Sequence, residues 1–120
     1  MESKEIVKLA VQSLDKHKAD DIKVIGVETL TVLSEYFVIA DGNNVTQVKA
    51  LSDYLEHELA EQGVQPLRVE GYRSTGWIIV DYGVVIVHIF MDESRKFYDL
   101  ERLWKDGVQI PTETFLESHG

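Results

Sequence analysis

The chain has 120 residues, with 12 basic and 21 acidic side chains, a formal net charge of −9 and no cysteine. That length suits one domain able to bury a real core unaided, and the missing cysteines exclude disulfide, thiol and zinc-thiolate chemistry. The acidic balance opposes phosphate backbones, so direct sequence-specific nucleic-acid binding is disfavoured and a basic protein is the better electrostatic match.

No apolar run reaches membrane-spanning length, and the charged N-terminal stretch lacks a signal-peptide core. A soluble cytoplasmic protein without membrane contact is expected. From about residue 4 to 18, Ile6, Leu9, Ala10, Leu14 and His17 recur at helical spacing, with Ser3 placed as N-cap and Glu5 in the first turn. Residues 21–27 then alternate Ile22, Val24 and Gly26 against Lys23, Ile25 and Val27, which reads as a strand suited to a sheet edge.

After a connection over residues 28–34, residues 35–42 form a mostly apolar run that reads as a buried strand ending in an Asp41-Gly42-Asn43-Asn44 turn. Asn44 with Gln47 resembles a capping box, and Val48, Leu51, Leu55 and Leu59 mark one face of a helix running to Gln62, with Gly63 after its C-cap. A short strand over residues 66–71, with Pro66 at its entry, precedes a loop at residues 72–75.

Residues 77–81 and 84–90, joined at Tyr82-Gly83, form an apolar hairpin. A two-residue loop sets Asp81 opposite Val84, Val80 opposite Val85, Ile79 opposite Ile86, Ile78 opposite Val87 and Trp77 opposite His88; a three-residue loop would shift this pairing. Because side chains alternate, Ile78, Val80, Val85, Val87 and Ile89 share an aliphatic face suited to lie under helices. The opposite face carries Trp77, Ile79, Asp81, Val84, Ile86, His88 and Phe90. It is too apolar for a solvated strand face, and either a partner or further helices of the same chain must cover it.

A last helix is expected over about residues 93–105, capped by Asp92 and carrying Phe97, Leu100, Leu103 and Trp104, of which Phe97 and Trp104 read as core. The order is αββαβββα: a single mixed α/β sheet with helices mainly on one face, in one domain over residues 1–107. The tail over residues 108–120 carries only weak signals. Two long helices and one C-terminal helix can cover one sheet face but hardly both, which favours an uncovered patch.

Signals of chemistry are sparse. His17, His57, His88 and His119 are scattered without metal-ligand spacing, so no metal or other cofactor is expected. The paired acids Asp99 with Glu101 and Glu56 with Glu58 fall on predicted helices, where solvated faces explain them, and Asp81 stands alone at a strand end. Residues 70–76 hold only two spaced glycines, short of a phosphate loop, and Ser52 and Ser94 have no histidine nearby in sequence to make a nucleophile pair. No catalytic residue is assigned, and the sequence makes no positive case for an enzyme.

The run G-W-x-x-x-D-x-G-x-x-x-V-H-I-F from Gly76 to Phe90, followed by F-Y-x-L-E-R-L-W from Phe97 to Trp104, closely resembles the ribosomal silencing factor, or Iojap-like, family. So does S-x-Y-F-V-I-A-x-G from Ser34 to Gly42, with Asn43, Gln47 and Val48 after it; the resemblance spans residues 3–105. It implies a nucleotidyltransferase-like fold without catalytic carboxylates. It further implies binding to the large ribosomal subunit through the basic large-subunit ribosomal protein fourteen (uL14), a block on subunit joining and repression of translation when nutrients are short.

Free members of that family are homodimers. By position, its docking region falls on Trp77, Ile79, Asp81, His88, Phe90, Arg95 and Tyr98, with the aromatics as anchors, Asp81 as a charge partner for Lys or Arg, and Arg95 and Tyr98 as rim donors. Val84 departs from the acid commonly found after the turn glycine in that family. Two other readings stand beside this one: a nucleotidyltransferase-like enzyme whose carboxylates converge only in three dimensions, and a plain homodimerisation module.

Overall fold

A computed structural model describes residues 2–32, 34–71, 76–91 and 106–116. Helix α1 spans Ser3–Lys16, strand β1 Asp20–Gly26, β2 Tyr36–Gly42, α2 Val45–Glu61, β3 Arg68–Glu70, β4 Trp77–Asp81, β5 Val85–Met91 and β6 Val108–Ile110, followed by a single helical turn, α3, at Glu113–Leu116. The strands form one six-stranded sheet in the order β3-β4-β5-β2-β1-β6. The central pair β2 and β5 is parallel and every other pairing is antiparallel. The expected final helix over residues 93–105 lies outside the described residues.

The main core lies between the sheet and the two long helices. Val7, Ala10, Val11 and Leu14 of α1 and Val48, Leu51, Leu55 and Leu59 of α2 are buried against it. The sheet side of this core is Val24, Val38, Ala40, Ile78, Val80, Val85, Val87 and Ile89, so the aliphatic stripe expected of the hairpin is the one under the helices. At the start of α2 the Asn44 side chain accepts a hydrogen bond from the Gln47 N–H at 2.8 Å. Gln47 reaches back to accept from the Asn43 N–H, one residue earlier than a capping box would place it.

Three local expectations are corrected. Ser3 is not the N-cap of α1: Glu2 holds that place without a side-chain bond, and the Ser3 hydroxyl instead donates to Glu35 at 2.8 Å, tying α1 to the start of β2. Strand β1 is not at an edge, because Val24, Ile25 and Gly26 pair outward with residues 108–110. The hairpin register is displaced by two residues: Trp77 faces Phe90, Ile79 faces His88 and Asp81 faces Ile86.

The reason for the displacement is Tyr82. Its side chain is buried in the main core, continuing the alternation of Ile78 and Val80, and its N–H bonds to the Val85 carbonyl at 2.9 Å. Gly83-Val84 is therefore the turn, and Gly83 takes the left-handed conformation (φ 84°) that a two-residue hairpin needs at its first central position. A shift of two preserves the faces of the strands, but Val84, now a turn residue, packs against the main core instead of joining Trp77. Its carbonyl accepts from the Ser34 hydroxyl at 3.1 Å and from the Glu35 N–H at 2.8 Å, fixing the hairpin tip to β2.

Candidate docking surface

The sheet face away from α1 and α2 is built by the register of neighbouring strands. One row across it runs Glu70, Ile79, His88, Ile39 and Lys23; the next runs Arg68, Asp81, Ile86, Phe37, Ile25 and Gln109; and Trp77, Phe90 and Asp41 form a third. Trp77, Ile79, Asp81, His88 and Phe90, all named from the sequence, are thus brought together. Arg95 and Tyr98 lie outside the described residues.

These five residues sit at two depths. Ile25, Val27, Ile39 and Phe90 form a second buried cluster, with Phe37 and Trp77 packed against it at partial exposure. Trp77 lies over Phe90 with ring centroids 5.2 Å apart and planes 19° from parallel, and Phe37 meets His88 at 4.8 Å. Phe90 has no exposed surface and His88 very little, whereas Trp77, Ile79, Asp81 and Ile86 remain partly open.

Between the layers, the Trp77 indole Nε1–H donates to His88 Nδ1 at 3.2 Å. An indole nitrogen can only donate, so His88 must accept at Nδ1 and carries its proton on Nε2. That Nε2 is buried without a hydrogen-bond partner. Burial pushes the His88 imidazole down to about 4 against a weaker opposing pull from the Asp81 carboxylate, so the ring is neutral at physiological pH.

Asp81 is already engaged. One carboxylate oxygen accepts from the Gly83 N–H at 2.7 Å and the other from Arg68 Nε at 3.2 Å. The Asp81 side chain is 15% exposed and Arg68 is 66% exposed, so of the two the arginine is free to swing away. Arg68 and Phe37 escaped the sequence reading, since only the strand order places β3 and β2 beside the hairpin.

Elsewhere, Glu56 and Glu58 on α2 find separate partners in Ser52 and His17, with no convergence between them. Among the described residues no three His, Cys, Asp or Glu side chains are placed to hold a metal ion, and no helix is long and apolar enough to cross a membrane.

This arrangement can present a flat aromatic and aliphatic surface edged by an ion pair. Known proteins match the chain in sequence and shape. The family model described as "Ribosomal silencing factor during starvation" matches residues 1–119. Ribosomal silencing factor RsfS of Halalkalibacterium halodurans is 34% identical over 113 residues, covering 94% of this chain and 97% of that one. The chloroplastic protein Iojap of Arabidopsis thaliana is 31% identical over 93 residues, 78% of this chain and 39% of its own length.

A crystal structure of a Chromobacterium violaceum protein superposes with a TM-score of 0.83 at 39% identity, over 92% of this chain and 91% of that one. With the match running from α1 through the hairpin to α3, the chain belongs to the ribosomal silencing factor family, whose members are named for their action on the ribosome.

Proposed function

We propose that this protein docks on the large ribosomal subunit through uL14, sterically prevents joining of the small subunit and so represses translation in the cytoplasm when nutrients are short. It works without catalysis, as an occupant of a surface. The observation that carries this reading is the mixed face of the sheet: Trp77 and Ile79, partly exposed, stand across from the buried Phe90 and His88 and beside the Asp81–Arg68 pair. Rigid aromatics over a dry layer are the usual make-up of an interface hot spot.

On this reading Trp77 and Ile79 supply contact area and Phe90 and His88, buried beside them, support them. Asp81 takes a lysine or arginine of the partner as Arg68 swings out, and Arg95 and Tyr98 complete the rim. The net charge of −9 suits a basic ribosomal protein. Away from the ribosome, the free protein is a homodimer, as the family resemblance implies.

The test is sedimentation with separated ribosomal subunits, followed by a joining assay. Wild-type protein should travel with large subunits and hold them apart from small ones, and Trp77→Ala should weaken that association by more than about 2 kcal/mol while leaving the fold intact. A Trp77→Ala protein that binds large subunits as tightly as wild type would remove this face from the proposal.

A further inference from the structure

The Trp77–His88 hydrogen bond is an odd one for stability alone. Forming it commits His88 to the Nε2–H tautomer, and that proton then points into a buried place with no acceptor. An unmet buried donor is costly, and an apolar side chain of similar size would avoid it. What the imidazole does offer is an acceptor at one defined point beside the indole edge.

Around that point the geometry is tightly constrained. His88 is held in the strand by pairing on both sides, with Ile79 on β4 and Ile39 on β2, and its ring is packed by Phe37 and Phe90. Trp77 is the more exposed partner, at the start of β4 and across from Phe90. Stacking is broad in geometry, whereas a hydrogen bond to a fixed nitrogen sets the direction in which the indole N–H points.

We propose that His88 is a positioning residue for the docking surface: from the neighbouring strand, its Nδ1 holds the Trp77 indole in the orientation that meets the partner. The inference rests on the reading of Trp77 as an anchor. His88 itself touches no partner. Its contribution is pre-organisation, so that the ordering of the anchor is complete before association.

A hydrogen bond of ordinary net strength biases the ring orientation roughly 3- to 10-fold, which sets the size of the effect on affinity. His88→Leu removes the acceptor and the unmet donor together, while His88→Asn returns an acceptor oxygen near the place of Nδ1. Binding of the full-length variants to purified large ribosomal subunits is measured beside the Trp77 indole N–H resonance, which is identified by its absence in Trp77→Ala.

His88→Leu should fold as well as wild type, move the indole resonance and weaken binding by about 3- to 10-fold; His88→Asn should recover much of both. In a Trp77→Ala background His88→Leu should cost nothing further. If its cost were the same in both backgrounds, or if it bound like wild type while Trp77→Ala did not, His88 would not act through Trp77 and the inference fails with the docking surface intact. Wild-type binding by Trp77→Ala would instead overturn the docking reading beneath it.

Discussion

His17, near the end of α1, places its Nε2 2.6 Å from a carboxylate oxygen of Glu58 on α2, and its ring lies on Tyr54 with centroids 3.8 Å apart and planes 4° from parallel. Lys16 adds a longer contact to the same carboxylate at 3.6 Å. Partial burial pushes the Glu58 carboxyl up, but hydrogen bonds from His17 and Ser13 and the charges of His17 and Lys16 outweigh it, so Glu58 titrates below its ordinary value. The cluster joins the two helices that cover the core. His17→Ala should cost about 1–2 kcal/mol in urea unfolding near neutral pH, as for a partly buried charge-assisted bond. His17→Phe, which keeps the stack, should cost less, and equal losses for the two would assign the whole effect to the hydrogen bond.

Stability should also fall in mild acid, and His88 sets the window. The unfolded chain takes up a proton on this histidine near pH 6.5, whereas the folded chain resists until about pH 4. Between those values the unfolded state binds more protons, so stability drops as pH falls, by about 3 kcal/mol across the window. Glu58 acts in the same direction but lower, since its contribution is lost only as pH passes through a depressed carboxyl value. Glu56 opposes both: burial is the main reason its carboxyl is raised, with Asp53 helping and Ser52 resisting, and protonation relieves it. Urea midpoints over a pH series should therefore slope in wild type and flatten in His88→Leu. A wild-type midpoint that is level from neutrality to the carboxyl range would contradict a buried neutral imidazole.

How much of this was legible in the sequence depends on how local each feature is. The stripe Ile78, Val80, Val85, Val87 and Ile89 follows from alternation alone, and it survives a two-residue error in register because strand faces repeat every two residues. The Asn44 cap is legible for the same reason, being a contact three residues long. Tyr82 defeats local reading: beside a glycine it passes for a turn residue, and only its burial in the main core shows that it continues the alternation of the strand before it. Arg68 beside Asp81, Phe37 against His88 and Ser3 against Glu35 depend on strand order and helix docking, which no spacing encodes. Strand β6 is three residues long and lies just before Pro111, too short for periodicity to register.

The chain just after β3 should tolerate no side chain at residue 71. Gly71 has φ +87°, and a Cβ built there would lie 2.0 Å from the Trp77 carbonyl oxygen and 3.1 Å from its carbonyl carbon. Both obstacles are backbone of Trp77 itself, so relief requires β3 and β4 to part. Gly71→Ala should lose more than about 1 kcal/mol of stability, the excess over an ordinary positive-φ substitution coming from the clash. Because the strain falls on Trp77, its indole N–H resonance should shift as well. An unshifted resonance with an unchanged urea midpoint would show that the strands separate there without cost.

The segment after Gly107 should matter more to stability than its length suggests. Residues 108–110 cover the outer edge of β1, and Phe115 is buried in the main core, where α3 meets α1; Gln12 donates to the Phe115 carbonyl at 3.4 Å. Phe115→Ala removes most of a buried ring and should cost about 3 kcal/mol. Ending the chain at Gly107 adds a second fault, because the freed edge of β1 offers unpaired N–H and C=O groups to any other strand. The shortened protein should unfold at lower urea than Phe115→Ala and scatter light on standing, whereas Phe115→Ala, with its edge still covered, should remain clear. If both variants stayed clear and shared one midpoint, β6 would add nothing beyond the anchoring of Phe115, and the sheet would in effect end at β1.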